Sequence, residues 1–197
     1  MDPGKIDRPG ARVGAWMNVD LGTHAFALVS STVGGYVLES VVLVAAGAHH
    51  LAGLGFRMLM KQRCQEALVS NSRASGFALA QVLIWTCCVL LAMYVIAMGA
   101  HGVFHAEALA SAALAAYAVP GLAAAATTAV LAGQSRRAGL KLARADAWLA
   151  ATPSALALGV AFGAPAAQVG MFDAAGGLVA VLLLCTRSLF HLARAMD

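Results

Sequence analysis

The 197-residue chain is 61% hydrophobic and only 11% charged, with a mean hydropathy of +0.79. Soluble domains are about half apolar and about a quarter charged, so this composition excludes an ordinary soluble globule and equally a disordered chain. An aromatic content of 7% argues against an aromatic-girdled outer-membrane barrel, and the net charge of +4 must be read by position rather than as a nucleic-acid signal.

Residues 1–16 hold Pro3, Gly4, Pro9 and Gly10 among Lys5, Arg8 and Arg12, and they read as a short, uncleaved, basic cytoplasmic tail. A spanning helix needs about 20 mainly apolar residues. Six windows meet that test, over 17–38, 40–61, 75–100, 108–133, 144–164 and 172–194. The first contains Asp20 and His24, four apart and therefore on one helix face. This is either a structural pair or a cation or proton site, and Asp20 lies close enough to the inner end to reach the headgroups. Gly34, Gly35 and Tyr36 then predict a tight turn, with Glu39 and Ser40 on its far side. The second window carries His49 and His50 near its middle, about 100° apart around the helix. Each serves either as a hydrogen-bonding group to a neighbouring helix or as a metal ligand.

The junction after the second window is polar. The third junction holds His101, His105 and Glu107, which read as solvated or, in a helical segment, as a weak Zn²⁺ constellation. The fourth, around Gly133 to Lys141, is basic. Asp146 opens the fifth window and Asp173 the sixth, both as carboxylates favoured by a helix N-terminus. Pro153 predicts a kink in the fifth helix. His191 reads as interfacial.

All 13 Lys and Arg fall before the first window, around the second and fourth junctions, or near the C-terminus. A six-helix layout puts every one of them on one side, and the positive-inside rule makes that side cytoplasmic. The fold expected is therefore all-α: a polytopic membrane protein, a six-transmembrane-helix bundle over residues 17–197 with both termini cytoplasmic and no soluble C-terminal domain. The expected location is a bacterial cytoplasmic membrane. Cys64, Cys87, Cys88 and Cys185 form no CxxC pair and imply no disulfide framework. Small residues such as Ala123 to Ala126 and Gly176–Gly177 suit close helix packing in lipid. The chain has no GxSxG, Walker loop, HExxH or CxxC, so an enzyme is not expected.

The run from Ser40 to His49 resembles the second-helix segment S-x-A-L-L-A-D-A-x-H of the cation diffusion facilitators. Ala143 to Trp148 resembles their fifth-helix L-x-A-D-A segment, Ser72-Arg73-Ala74-Ser75 is similar to their entry to helix three, and Phe172 to Leu178 looks like their opening of helix six. The resemblance covers most of residues 17–194 and implies six spans, both termini inside and divalent metal transport, with Zn²⁺ or another divalent transition metal as cargo. It also implies two ligands from each of helices two and five. Those positions fall on His49, Gly53, Leu149 and Pro153, of which only His49 offers a side-chain ligand.

Two functions follow. A divergent cation transporter would use an altered metal set drawn from His49, His50, Asp20, His24 and Asp146. At about 1.5 Å rise per residue, His49 lies roughly 13 Å from the outer end of its helix, whereas Asp20 and Asp146 lie near the inner face, so one shell is not expected to hold all five. They would instead be stations along a path. A non-transporting scaffold or accessory subunit of a larger membrane complex explains the missing ligands equally well. Its partners would be the lipid bilayer, further copies of the chain or other membrane subunits, and Trp16, Trp85 and Trp148 would be anchors. Haem ligation by His24, His49 or His50 is a remote third reading.

Overall fold

The computed structural model describes residues 8–66, 86, 89, 90, 92–98, 110–137, 145–165 and 168–196. His101, His105, Glu107, Cys87, Cys88 and most of the second junction lie outside the described residues, as do the side chains of Cys64, Asp146, Trp148 and His191. The chain is all-helical: α1 (Arg8–Val37), α2 (Val41–Glu66), α3 (described at 86, 89, 90 and 92–98), α4 (Ser111–Arg137), α5 (Ala145–Gly163) and α6 (Val169–Met196). No strand occurs among the described residues. Each helix overlaps one apolar window of the sequence.

The bundle is inverted relative to a soluble protein. Asp20, His24, Ser31, Ser40, His49, His50, Arg57, Thr128, Ser154 and Asp173 are buried. Phe26, Val29, Tyr36, Met58, Leu122, Phe162, Phe172 and Leu182 are exposed on the outside. Water would reverse that arrangement, because large apolar side chains gain from burial and ionisable ones lose by it. Among the described residues, three helices contain stretches long and apolar enough to cross a membrane: Val41–Met58, Ser111–Arg137 and Val169–Leu189. The protein is an integral membrane protein with a lipid-facing apolar surface.

Packing follows narrow seams of small residues. On α1 the buried positions are Val13, Met17, Asp20, His24, Ala27, Ser31 and Gly34, alternating steps of three and four. On α4 the same pattern takes in Leu114, Ala118, Gly121, Ala125, Thr128, Ala132 and Ser135. This 3.5-residue spacing is that of left-handed helix pairs, and small side chains along it let backbones approach in lipid. α2 is the central helix, touching α1, α4, α5 and α6. It runs antiparallel to α1, where Gly35 meets Val44 and Asp20 meets Arg57. It runs parallel to α4, with His50 beside Gly121 and Arg57 beside Thr128. Near the starts of α2, α4 and α6, the core joins Val42, Leu43, Leu114, Ala118, Ala157, Val160 and Val169.

Three expectations from the sequence need correction. α1 begins at Arg8, not at residue 17, because Pro9 falls in the first turn, where its missing N–H costs nothing. Gly34 and Gly35 are not the turn. They lie in α1, pressed against Tyr117 and Val44, and the chain reverses at Leu38–Ser40 with Glu39 at φ 53°. Asp173 does not open α6, which starts a turn earlier at Val169. Its carboxylate instead caps α2: Ser40 Oγ donates to Oδ1 and Val41 N–H to Oδ2, both at 2.6 Å. Ser40 Oγ in turn accepts from Leu43 N–H at 3.3 Å. The first amides of a helix have no partner within it, and in lipid no water replaces one.

Adjacent glycines of α6 give a paired test of this packing. A Cβ on Gly177 would lie 2.8 Å from the Val41 carbonyl carbon and 2.9 Å from Val42 N, both backbone atoms, whereas one on Gly176 would meet methyl groups at 3.5 and 3.6 Å. Gly177→Ala is expected to lower stability by roughly 1–3 kcal/mol. Gly176→Ala is expected to stay within about 1 kcal/mol of the parent. Unfolding of both variants in one detergent checks the contrast.

Candidate functional site

The site is built by the polar positions of three seams at one level of the bundle. Asp20 and His24 occupy successive turns of α1, Arg57 lies two turns beyond His50 on α2, and Thr127 and Thr128 sit side by side on α4. Asp20 is fully buried. Its Oδ2 accepts a short hydrogen bond from Arg57 Nε. Its Oδ1 accepts from Thr128 Oγ1 at 2.8 Å and from Thr127 Oγ1 at 3.0 Å. Thr127 also meets Thr23 Oγ1 of α1 at 2.8 Å.

Arg57 has its guanidinium fully engaged. Beyond Asp20, Nη1 donates to the Gly53 carbonyl at 3.0 Å and Nη2 to Thr128 Oγ1 at 2.6 Å. Ion pairs in a low-dielectric interior are tolerated only with this degree of satisfaction, because each charge has lost its water. Gly53 makes the reach fit: a Cβ there would lie 2.9 Å from Nη1 and 3.3 Å from His24 Nδ1.

His24 links this ion pair to the centre of the bundle. Its Nε2 lies 3.0 Å from Thr128 Oγ1 and 3.8 Å from Asp20 Oδ1. Its Nδ1 lies 3.1 Å from His50 Nδ1, with the two rings tilted at 59°. His49 turns elsewhere, as its position one residue away on the helix requires: its Nε2–H donates to the Ala180 carbonyl of α6 at 2.7 Å.

Of the five residues read as metal candidates, the structure brings together Asp20, His24 and His50. His49 faces α6 instead, and the Asp146 side chain lies outside the described residues. Asp20 reaches the same cluster as His50 because α1 starts early. It stands 12 residues inside that helix, about 18 Å along the axis, rather than at its end. Sequence reasoning missed Arg57, which it placed with the flanking cations of the second junction. The signal was its position seven residues after His50, on the same stripe of α2. Thr127 and Thr128 carried no signal beyond being a polar pair in an alanine-rich run.

Chemically, the arrangement holds one carboxylate neutralised by one guanidinium, and two imidazoles in contact. No group of three or more His, Cys, Asp or Glu placed to hold a metal ion occurs among the described residues. No family model matches the chain, and no curated protein matches it.

Thr128 is the shared joint, since one hydroxyl contacts Asp20, Arg57 and His24. Thr128→Val keeps the shape and removes all three bonds, so it is expected to cost roughly 1–3 kcal/mol, while Thr127→Val, on the partly exposed flank, is expected to cost less. Denaturant unfolding of the two variants against the parent checks the order.

Proposed function

We propose that this chain is a scaffold or accessory component of a membrane assembly rather than a carrier of divalent metal ions. The observation that carries this reading is the Arg57 guanidinium seated on the Asp20 carboxylate. A dication arriving at Asp20 would have to displace a bound cation that is itself held at three points. The two imidazoles alone do not complete a tetrahedral shell. Most polar contacts of this cluster join one helix to another, which is how polar residues act as glue between membrane helices.

The six-span layout belongs to the same proposal. α2 runs opposite to α1 and α5 and alongside α4 and α6, the pattern expected when successive spans alternate in direction. With the cations gathered at one end, both termini would face the cytoplasm. The bound partners would be copies of the chain or other membrane subunits meeting its apolar surface.

One observation favours the transporter reading as the second choice. Two nitrogens bound to one tetrahedral metal at about 2.0–2.1 Å lie about 3.3 Å apart. The His24 and His50 Nδ1 atoms stand 3.1 Å apart. The two readings separate in liposomes containing the purified protein. Uptake of Zn²⁺, Co²⁺, Mn²⁺ and Fe²⁺ is expected to equal that of protein-free vesicles. Saturable uptake that disappears in His24→Ala would overturn the accessory reading in favour of transport.

A further inference from the structure

The hydrogen bonds of the seam have a direction, and it can be read from groups that have no choice. Arg57 only donates and ionised Asp20 only accepts. Thr128 has one hydroxyl hydrogen. That hydrogen goes to an oxygen, Asp20 Oδ1 at 2.8 Å or the Ala124 carbonyl at 2.9 Å, because neither oxygen can donate to Thr128 in return. Thr128 Oγ1 therefore accepts from Arg57 Nη2 and also from His24, so His24 carries its hydrogen on Nε2. The 3.8 Å approach of the same nitrogen to Asp20 Oδ1 favours the same assignment. His24 Nδ1 is then a bare acceptor, and the 3.1 Å contact requires His50 to donate from its own Nδ1. A neutral imidazole with a hydrogen on Nδ1 has none on Nε2.

That leaves a basic nitrogen in the middle of the bundle. His50 is fully buried, and its Nε2 has no hydrogen-bond partner among the described residues. Ser154 Oγ of α5 is likewise fully buried and without one. Both converge on Gly121 of α4, where a Cβ would lie 2.8 Å from His50 Nε2 and would collide with Ser154 Oγ. Both flanking helices carry a proline immediately before the residue concerned, Pro120 before Gly121 and Pro153 before Ser154. A proline withdraws one amide from the helix ladder.

We propose that His50 Nε2 and Ser154 Oγ form a buried acceptor site for a single neutral hydrogen-bond donor of water size, and that the Asp20–Thr128–His24 chain fixes the tautomer that creates it. His50 and Ser154 carry no negative charge and the nearby Asp20 carboxylate is already paired with Arg57, which disfavours a cationic occupant. Water is the donor of that size present in any membrane preparation, and buried polar groups without protein partners are where internal water resides. The site is independent of whether the chain acts as a scaffold or as a carrier.

The test is nitrogen-15 NMR of histidine-labelled protein in lipid nanodiscs, with magnetisation transferred from water. The expected result is a neutral His50 with its hydrogen on Nδ1, and transfer from water to its bare Nε2. Gly121→Ala, whose methyl would displace Ser154 Oγ and crowd His50 Nε2, is expected to abolish that transfer. Ser154→Ala, which removes only the hydroxyl, is expected to weaken it while leaving the tautomer unchanged. A His50 that carries its hydrogen on Nε2 in the parent protein would overturn the proposal, as would absence of water transfer in the parent. A change in the His50 signals on adding ammonium chloride, against sodium chloride as control, would overturn the neutral occupant. The parent measurements decide the matter even where Gly121→Ala does not fold.

Discussion

The Asp20–Arg57 ion pair sets the terms for the rest of the bundle. Either charge alone in an apolar interior is costly enough to prevent folding or to pull the helix toward the membrane surface. Together they are held, but only because Thr127, Thr128 and the Gly53 carbonyl supply the remaining bonds. The pair and those bonds together span three helices, so the pair defines the relative depth of α1, α2 and α4. A shift of one turn of α1 against α2 would part the two charges, and a shift of α4 would strip them of the threonine bonds. The arrangement is thus a register device as much as a source of stability, and the small-residue seams are what let the backbones close around it.

A second polar contact of the same type acts at another level of the bundle. Asp173 of α6 caps the start of α2 across the helix interface, and Ser40 completes the cap. α2 is therefore tied to α1 and α4 through Arg57, and to α6 through its first amides and through His49. Its being the most buried of the three candidate spans follows from this position. The large apolar side chains left exposed face lipid.

Much of this was legible in the sequence, and the parts that were not share a physical cause. Helix number and position came from runs of apolar residues, because lipid demands them of any span. The i, i+4 spacing put Asp20 and His24 on one face, and the 100° step separated His49 from His50. Which helix each face meets is a long-range fact that spacing does not encode. Arg57 illustrates this. Near the end of an apolar run, an arginine that reaches the headgroups and one that is buried against a carboxylate look the same. Only the partner 37 residues earlier distinguishes them. Gly34 and Gly35 show the converse error. Glycine marks a turn in water more often than in a bundle, where its use is to let another helix come close. Three of the four ligand positions implied by the family resemblance were blank in the sequence, His49 turns to α6, and the polar groups that do converge lie elsewhere: at His24, His50 and Ser154.

The most direct test of the account is a double-mutant cycle on the ion pair, using Asp20→Asn, Arg57→Gln and the two together, followed by denaturant unfolding in one detergent. Each single change leaves a buried charge without its partner and is predicted to cost roughly 3–5 kcal/mol. The double variant removes both charges and is predicted to be more stable than the sum of the single losses allows, by about 2 kcal/mol or more. Additive losses, or single variants as stable as the parent, would show that the two side chains do not meet and would contradict the arrangement on which this account rests.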